Sequence, residues 1–222
     1  MTNTGFYVNL LIIVVNNKAS TKYLLLNFLR NRSSGSVSGQ LLADELGVSR
    51  VAVWKAVQSL QEAGYGIQSK GKGPSSGYEL VEDLGDSLYP WEFGEMQQQF
   101  KHFKITSSTM DEARLLAVQD SAVSIITADE QTKGRGRLDH NWVTASNSLS
   151  FTLITRPSFS LGFYNRLCAL SQIALVRVFE KFSGRQFYVR WPNDVWSADG
   201  KAAGILTDVQ GIGDILAWVN LG

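Results

Sequence analysis

The sequence predicts an α+β protein made of two domains. Residues 21–80 contain helix-like segments followed by two short strand-like segments, whereas residues 105–222 alternate between helical and strand patterns. The apolar fraction of 44% and the formal charge of +1 are those of an ordinary folded protein and exclude a general polycation. Any binding of nucleic acid must therefore depend on a local basic surface.

The chain divides at an acidic stretch near residues 81–88. We expect an N-terminal extension at 1–20, a first domain at 21–82, a linker at 83–104 and a second domain at 105–222. Residues 8–15 are the most apolar run, but they are too few to cross a bilayer, so no membrane partner is expected. The single cysteine, Cys168, and two separated histidines predict neither a disulfide nor a structural metal site, which fits a reducing, cytoplasmic compartment.

The first domain has the pattern of two helices joined by a short turn. Apolar residues recur at helical spacing on both sides of Gly47, which breaks the first of these helices, and Ser49 is placed to cap the second. In the second helix Val53, Val57 and Leu60 continue an apolar stripe. This arrangement predicts a helix-turn-helix.

A hairpin is predicted behind these helices, with strands at 64–70 and 77–80, which makes the domain a winged helix-turn-helix. Cations on the second helix and on the hairpin could contact phosphates, and Gln58 could contact a base edge. The alternative is a helical packing module without a DNA partner. The candidate DNA-binding residues are Ser49, Arg50, Lys55, Gln58, Lys70 and Lys72.

In the second domain, residues 133–137 (Lys-Gly-Arg-Gly-Arg) place three cations and two glycines in five positions. The glycines allow the backbone to approach a ligand closely, and the two arginines offer forked donors to phosphate or carboxylate. The loop could bind a small anion, bind nucleic acid, or be merely exposed.

A second candidate segment is Arg-Trp-Pro-Asn-Asp at 190–194, followed by Lys201 and the apolar residues 202–206. A strand is predicted at 186–191 and another at 202–209. A lysine at the mouth of a strand beside an Asn-Asp turn suggests a functional role, although a hairpin can use these residues only as turn formers.

A third candidate is the helix start at residues 107–113 (Ser-Ser-Thr-Met-Asp-Glu-Ala). Thr109 and Glu112 have the spacing of a capping box, which would be purely structural. A helix start can also direct N–H groups and hydroxyls to a ligand.

Other phosphate-binding and nucleophile motifs are missing from the sequence. It contains no GxxxxGK[ST], no GxGxxG and no GxSxG. Dinucleotide oxidoreductases and serine or cysteine hydrolases are therefore disfavoured.

These three segments, in this order, resemble the motifs of the biotin protein ligases. The family pattern has Ser-Thr-Asn at a helix start, Gln-x-x-Gly-Arg-Gly-Arg followed by a Trp, and Lys-Trp-Pro-Asn-Asp with Lys-x-Ala-Gly-Ile downstream. The resemblance covers residues 105–222, and residues 21–80 resemble the DNA-binding domain of the bifunctional members, which also repress a biotin operon. It implies a mixed-sheet α/β catalytic domain of the class II aminoacyl-tRNA synthetase/biotin ligase type.

The resemblance also implies a two-step reaction. Biotin and ATP, with Mg²⁺, would give biotinyl-5′-adenylate, and a lysine of a biotin carboxyl carrier protein would then attack it. The implied partners also include operator DNA and a second copy of the chain.

Roles for individual residues follow from the same resemblance. Lys201 and Arg135 would be catalytic, and Asn193 and Asp194 would shape the nucleotide and metal region. The implied biotin or biotinyl-adenylate site comprises Ser108, Thr109, Met110, Gln131, Gly134, Arg135, Gly136, Arg137, Trp142, Lys201 and Gly204.

The sequence departs from the family pattern in three places. Met110 replaces the common Asn, Arg190 replaces the usual Lys, and the chain ends at Gly222, where the family continues. Two alternatives therefore stay open: a biotin-responsive DNA-binding regulator with little ligase activity, and a lipoate–protein ligase of the same fold.

Overall fold

The computed structural model describes residues 19–32, 35–71, 77–85, 87–119, 121–137, 142, 148–157 and 159–222. These residues form two compact units, one ending at Leu84 and the other beginning at Gly85. The N-terminal extension, including the apolar run at 8–15, lies outside the described residues apart from its last two positions.

The first unit contains three helices and a three-stranded antiparallel sheet of order β1-β3-β2. The predicted winged helix-turn-helix is confirmed, because Gly47 ends the second helix at φ 62° and Ser49 caps the third. The elements are α1 (Thr21–Arg30), β1 (Val37–Ser38), α2 (Gly39–Leu46), α3 (Arg50–Ala63), β2 (Gly66–Lys70) and β3 (Gly77–Glu82).

Helical spacing gives the first unit its core. Leu25 and Leu26 of α1 and Leu42 of α2 are almost fully buried, as are the predicted stripe residues of α3. The opposite side of α3 is consequently left facing solvent.

The second unit begins with a 3₁₀ segment at Pro90–Gln99, which is kinked by non-helical backbone at Phe93 and Gly94, and continues as a mixed α and β structure. A short 3₁₀ helix at Leu161–Phe163 leads into its long helix. Its other elements are β4 (Phe100–Thr106), α4 (Thr109–Val118), β5 (Ile125–Gln131), β6 (Ser150–Thr155), α5 (Tyr164–Ser183), β7 (Tyr188–Arg190), β8 (Asp194–Ser197), β9 (Gly200–Gly204), β10 (Thr207–Ile212) and β11 (Ile215–Leu221).

Five of these strands form one sheet in the order β10-β11-β6-β5-β4. Strands β4 and β5 are parallel and the other neighbours are antiparallel, so the predicted mixed sheet is confirmed. The parallel pair brings the carboxyl ends of β4 and β5 to the same edge, with Thr106 opposite Gln131.

Strands β7, β8 and β9 form a separate antiparallel sheet. The single strand predicted at 202–209 is therefore wrong: β9 and β10 belong to different sheets, and the chain crosses between them at Ile205 and Leu206. Two backbone hydrogen bonds hold the chain at this crossing. Ile205 N donates to Asn193 O at 2.7 Å, and Leu206 N donates to Gly222 O at 2.7 Å.

Helices α4 and α5 pack on opposite faces of the large sheet. Trp218 of β11 packs with Ala113 and other residues of α4, whereas the adjacent Val219 packs with Leu167 of α5. The first turn of α4 consequently lies over the sheet, close to the carboxyl end of β5.

The segment at 83–104, expected to be a linker, contains the 3₁₀ helix and most of β4, which pairs along its length with β5. We propose a domain boundary near residue 85 in place of the one at 105, because β4 forms an edge of the large sheet.

Candidate functional site

The start of α4 is buried. Ser108, Thr109 and Met110 are 1%, 3% and 4% exposed. The capping box expected from Thr109 and Glu112 is wrong, since Ser108 precedes the helix and makes no side-chain capping bond. Glu112 instead accepts a hydrogen bond from Thr106 Oγ1 at 3.0 Å. The polar groups at this helix start therefore have a role other than a capping box.

The side chain of Gln131, at the end of β5, caps the first turn of α4. Its Oε1 accepts from Thr109 N at 2.8 Å and from Thr109 Oγ1 at 3.1 Å. Thr152 Oγ1, on β6, donates to Thr109 Oγ1 at 2.9 Å and is fully buried. Three side chains that are far apart in sequence thus form one polar chain, in which Thr109 and Thr152 are buried and Gln131 is half-buried. Thr152 was not identified from the sequence, where it is one of several alternating Ser and Thr residues.

Gly222, which follows β11, packs directly against this polar chain. A Cβ atom there would lie 2.7 Å from Met110 Sδ and 3.1 Å from Thr152 Oγ1. The close approach favours glycine at 222, because a larger residue would have to displace the Met110 side chain; this position was not singled out in the sequence. The buried Met110 side chain therefore provides apolar surface near the hydroxyl group of Thr152.

The basic loop leaves the end of β5 beside the end of β4. Thr132 N donates to Thr106 O at 2.9 Å, and Lys133 N donates to Ser107 O at 2.8 Å. Gly134 follows, is buried, and accepts a hydrogen bond from Trp142 N at 2.9 Å. A Cβ atom on Gly134 would lie 2.6 Å from Trp142 O, so only glycine fits this contact.

Arg135 points to the start of α4, where its guanidinium pairs with Asp111. Arg114 lies 3.7 Å from the same carboxylate and pairs with Asp208 at 2.8 Å. Arg135 and Asp111 are each about 40% exposed, so solvent screens their attraction. In the sequence Asp111 was only one residue of the candidate helix start at 107–113.

Arg137 extends from the same loop to the turn before β8. Its Nη1 donates to Asn193 Oδ1 at 3.4 Å. Gly136 between the two arginines is half-buried. Arg190, which replaces the usual Lys of the family pattern, places its guanidinium 4.3 Å from the ring centroid of Trp196.

Lys201 lies on β9 opposite β8, with Nζ 2.8 Å from Asp194 Oδ1. This is the distance of an ion pair between opposite charges. The ammonium also lies 5.1 Å from the centroid of the Trp142 ring. A Cβ atom on Gly204 would lie 2.9 Å from that ring and 3.1 Å from Lys201 Cε.

The structure therefore joins the predicted residues into one connected region. A buried group of hydroxyl and amide side chains adjoins a loop with two arginines, and Trp142 connects this loop to Lys201. Such an arrangement can hold a neutral polar group at one end and stabilise negative charge at the other. Residues 138–141 and 143–147 lie outside the described residues.

The candidate DNA-binding residues belong to the first unit. Ser49 Oγ accepts from Ala52 N at 3.1 Å, so it caps α3, while Arg50, Lys55 and Gln58 are exposed along that helix. Lys70 pairs with Glu79 and, by donating a hydrogen bond, holds the pKa of that carboxyl below its usual value. Lys72 lies outside the described residues.

Within the part of the chain that the structure describes, no group of three or more His, Cys, Asp or Glu side chains could hold a metal ion. The described helices include none with the length and apolar content needed to span a membrane.

Comparison with known proteins identifies the family. Residues 102–220 match the Biotin/lipoate A/B protein ligase family, and residues 21–85 match an HTH domain. The chain belongs to the Biotin/lipoate A/B protein ligase family.

Two bacterial relatives match both domains. The chain is 33% identical to the bifunctional ligase/repressor BirA of Bacillus spizizenii over 89% of its own length and 62% of that protein. It is 34% identical to the bifunctional ligase/repressor BirA of Bacillus subtilis over 84% of its length and 58% of that protein. The chain thus spans about three fifths of each relative. A solved structure, the biotin protein ligase from Aquifex aeolicus in complex with biotin and ATP, aligns with a TM-score of 0.44 and 28% identity, covering 55% of this chain and 50% of that one.

Proposed function

We propose that this chain is a biotin–protein ligase that forms biotinyl-5′-AMP from biotin and ATP and transfers biotin to a lysine of a biotin carboxyl carrier protein. We further propose that its first unit binds operator DNA, so that the protein also acts as a biotin-responsive repressor. One observation carries the ligase proposal: the hydrogen-bonded chain of Thr109, Gln131 and Thr152 adjoins the loop that carries Arg135 and Arg137, and this loop is linked through Trp142 to Lys201. The names of the two Bacillus relatives support both parts.

The buried polar chain suits the cyclic urea of biotin. That ring has one carbonyl acceptor and two N–H donors, and Ser108, Thr109 and Gln131 carry groups that donate and accept. Met110 and Trp142 provide apolar surface for the rest of the molecule, and Gly134 and Gly136 let the loop backbone approach it.

The cations suit the first chemical step. An oxygen of the biotin carboxylate attacks the α-phosphorus of ATP, and the bond to pyrophosphate breaks. Both reactants are anions, so the barrier falls when fixed positive charge neutralises the transferring phosphoryl group. Lys201 is the main electrostatic catalyst in this proposal, and Arg135 and Arg137 hold the carboxylate and phosphate.

In the second step the amine of the carrier lysine attacks the acyl carbon of the adenylate, and AMP leaves with the bonding electrons. The amine loses its proton to solvent or to the departing phosphate. No covalent bond to the protein is required, which agrees with the lack of a nucleophile motif. The basic loop excludes water from the mixed anhydride between the two steps.

ATP acts with Mg²⁺, which proteins commonly bind through one or two carboxylates together with substrate phosphates. Asp194 and Asn193 fit that requirement, because they offer one carboxylate and one amide oxygen beside Lys201. The ion would neutralise phosphate charge when bound.

Operator binding by a winged helix commonly involves two copies on a two-fold site, so we propose a homodimer on DNA. We also propose a cytoplasmic location, because the proposed ligands ATP and operator DNA occur there. Lipoate is the competing substrate, since the family includes ligases for both acids.

A transfer assay tests the ligase proposal. The full chain is incubated with ATP, Mg²⁺, a biotin carrier domain and either biotin or lipoate, and the carrier lysine is examined by mass spectrometry. Biotinyl-lysine with little lipoyl-lysine is expected. The reverse preference would identify a lipoate ligase, and biotin binding without any transfer would favour a DNA-binding regulator.

Variants separate the site from general folding effects. Lys201→Ala should lose transfer while biotin binding measured by calorimetry persists. The matched control is Lys181→Ala, which removes an exposed lysine in the last turn of α5. An equal loss of biotin transfer in the two variants would contradict the role assigned to Lys201.

A further inference from the structure

The solvent-facing side of α3 carries apolar residues as well as polar ones. Val53, Ala56, Val57 and Leu60 are buried, so the opposite stripe faces solvent. On that stripe Val51 is 61% exposed and Trp54 is 53% exposed. They are one turn apart, near the N-terminal end of the helix.

These two side chains line an open concavity on the first unit. Its volume is about 420 Å³, and its lining residues are Gly39, Arg50, Val51, Trp54 and Tyr78. The concavity is therefore lined by residues of α3, of the start of α2 and of β3, among them the aromatic side chains of Trp54 and Tyr78. Singly exposed apolar residues are common on proteins, whereas a clustered apolar surface in a concavity indicates a binding site.

The charge around this surface selects the kind of partner. Arg50 and Lys55 flank the apolar residues, and residues 50–58 contain no acidic side chain. Positive charge also accumulates at the N-terminal end of a helix. A polyanion complements this face, and the HTH match at residues 21–85 makes double-stranded DNA the polyanion that fits the shape of the unit.

Apolar side chains have one specific partner in the major groove of DNA. Among the four bases only thymine presents a methyl group there, at C5. Arginine, lysine and glutamine read hydrogen-bonding edges or phosphates, so Val51 and Trp54 add a kind of contact that the previously assigned residues cannot make.

We propose that Val51 and Trp54 form the apolar part of the DNA-reading surface of α3, with Val51 packed on thymine methyl groups of the operator. The proposal rests on the DNA-binding function proposed above. It adds sequence selection for thymine to the phosphate contacts expected from Arg50 and Lys55.

The test uses removal of the methyl group alone. The full chain, with biotin and ATP, selects duplexes from a randomised pool, and each thymine of the selected site is replaced singly by deoxyuridine. At one or more positions, affinity measured by fluorescence anisotropy should fall about fourfold, which corresponds to about 0.8 kcal/mol for one methyl group.

Variants assign the effect to Val51. Val51→Ala should bind thymine and deoxyuridine duplexes alike at those positions, and Val51→Ile should restore the difference. Trp54→Ala should weaken binding to the selected duplex. Val81→Ala is the matched control, because it shortens an exposed valine of β3 outside α3 and should keep the full thymine preference. Circular dichroism of each variant checks that it is folded.

The outcomes are distinguishable. Selection of a sequence that is insensitive to deoxyuridine, or equally sensitive in Val51→Ala, would overturn this proposal and leave DNA binding intact. Failure to select any sequence would remove the DNA-binding function and this proposal together. Loss of self-association in Val51→Ala, with DNA affinity unchanged, would assign the apolar surface to a protein contact and would also overturn it.

Discussion

Replacing Gly134 with alanine should disable the site without unfolding the protein. The added Cβ would lie 2.6 Å from Trp142 O and 3.3 Å from Trp142 Cβ, and the first of these contacts is too short to exist. The two backbone segments must therefore separate, which strains the hydrogen bond from Trp142 N to Gly134 O. Trp142 also contacts Lys201, so the displacement reaches the proposed catalytic lysine.

The size of the expected loss of affinity follows from the free-energy cost of overpacking. Inserting a methyl group into a closely packed contact costs about 1–3 kcal/mol. If this cost falls on the arrangement that binds ligand, affinity for biotin in the presence of ATP should fall about 5- to 150-fold. The global fold should persist, because the strained contact lies in a connecting loop outside the two core clusters of the second unit.

Isothermal titration calorimetry measures the affinity, and thermal unfolding measures the stability. Gly162→Ala is the matched control, because its Cβ would meet only Ser160 Oγ at an ordinary 3.9 Å. Gly134→Ala binding within twofold of the unmodified chain, with both variants folded, would refute the assignment of this glycine to the site.

Two further predictions concern ionic groups. Asp111→Asn should release Arg135 for the ligand and tighten the binding of biotin in the presence of ATP by up to about fivefold. This limit corresponds to about 1 kcal/mol, the largest contribution typical of an exposed ion pair. Weaker binding in calorimetry would show instead that Asp111 supports the site. Burial lowers the pKa of His102 more than nearby Asp129 raises it. The unfolded chain therefore takes up the proton first as pH falls, so the free energy of unfolding should decline as the pH falls below about 6.5, the usual histidine pKa. Urea unfolding of the chain and of His102→Gln between pH 5 and pH 8 tests this, and an unchanged pH dependence in the variant would contradict it.

Local signals predicted the first unit well. Gly47 and Ser49 fix the end of α2 and the start of α3 through backbone conformation and a capping bond between near neighbours. The apolar stripe of α3 likewise depends only on helical spacing. Val51 and Trp54 lie on the exposed face of the same helix, and they were not among the candidate DNA contacts because the charged and polar side chains gave the signal for DNA binding.

Long-range pairing limited the prediction of the second unit. Strand β4 has Phe and Ile among lysines and a histidine, a weak alternation, and it is stabilised by parallel pairing with β5 about 25 residues later. The strand predicted at 202–209 begins with an apolar run at 202–206, yet Asn193 and Gly222 bind the backbone at Ile205 and Leu206 and divide the strand. Neither partner can be identified from the run itself.

For the site, the motifs located the cationic residues but not their partners. Sequence spacing marked Arg135 and Lys201, whereas the contacts from Asp111 to Arg135 and from Thr152 to Thr109 depend on the fold. Gln131 was assigned to a ligand, and the structure gives it an additional task as the cap of α4. Helix capping from a distant strand leaves no local sequence signal.

The central claim is that Lys201 and the two loop arginines activate biotin by joining it to ATP. The most direct measurement is biotin-dependent exchange of labelled pyrophosphate into ATP by the full chain, since it reports the first step without a carrier protein. We predict exchange that requires biotin, falls at least about 100-fold in Lys201→Ala, and is unchanged in Lys181→Ala. A folded, biotin-binding chain without exchange, or with equal exchange in Lys201→Ala, would contradict the account.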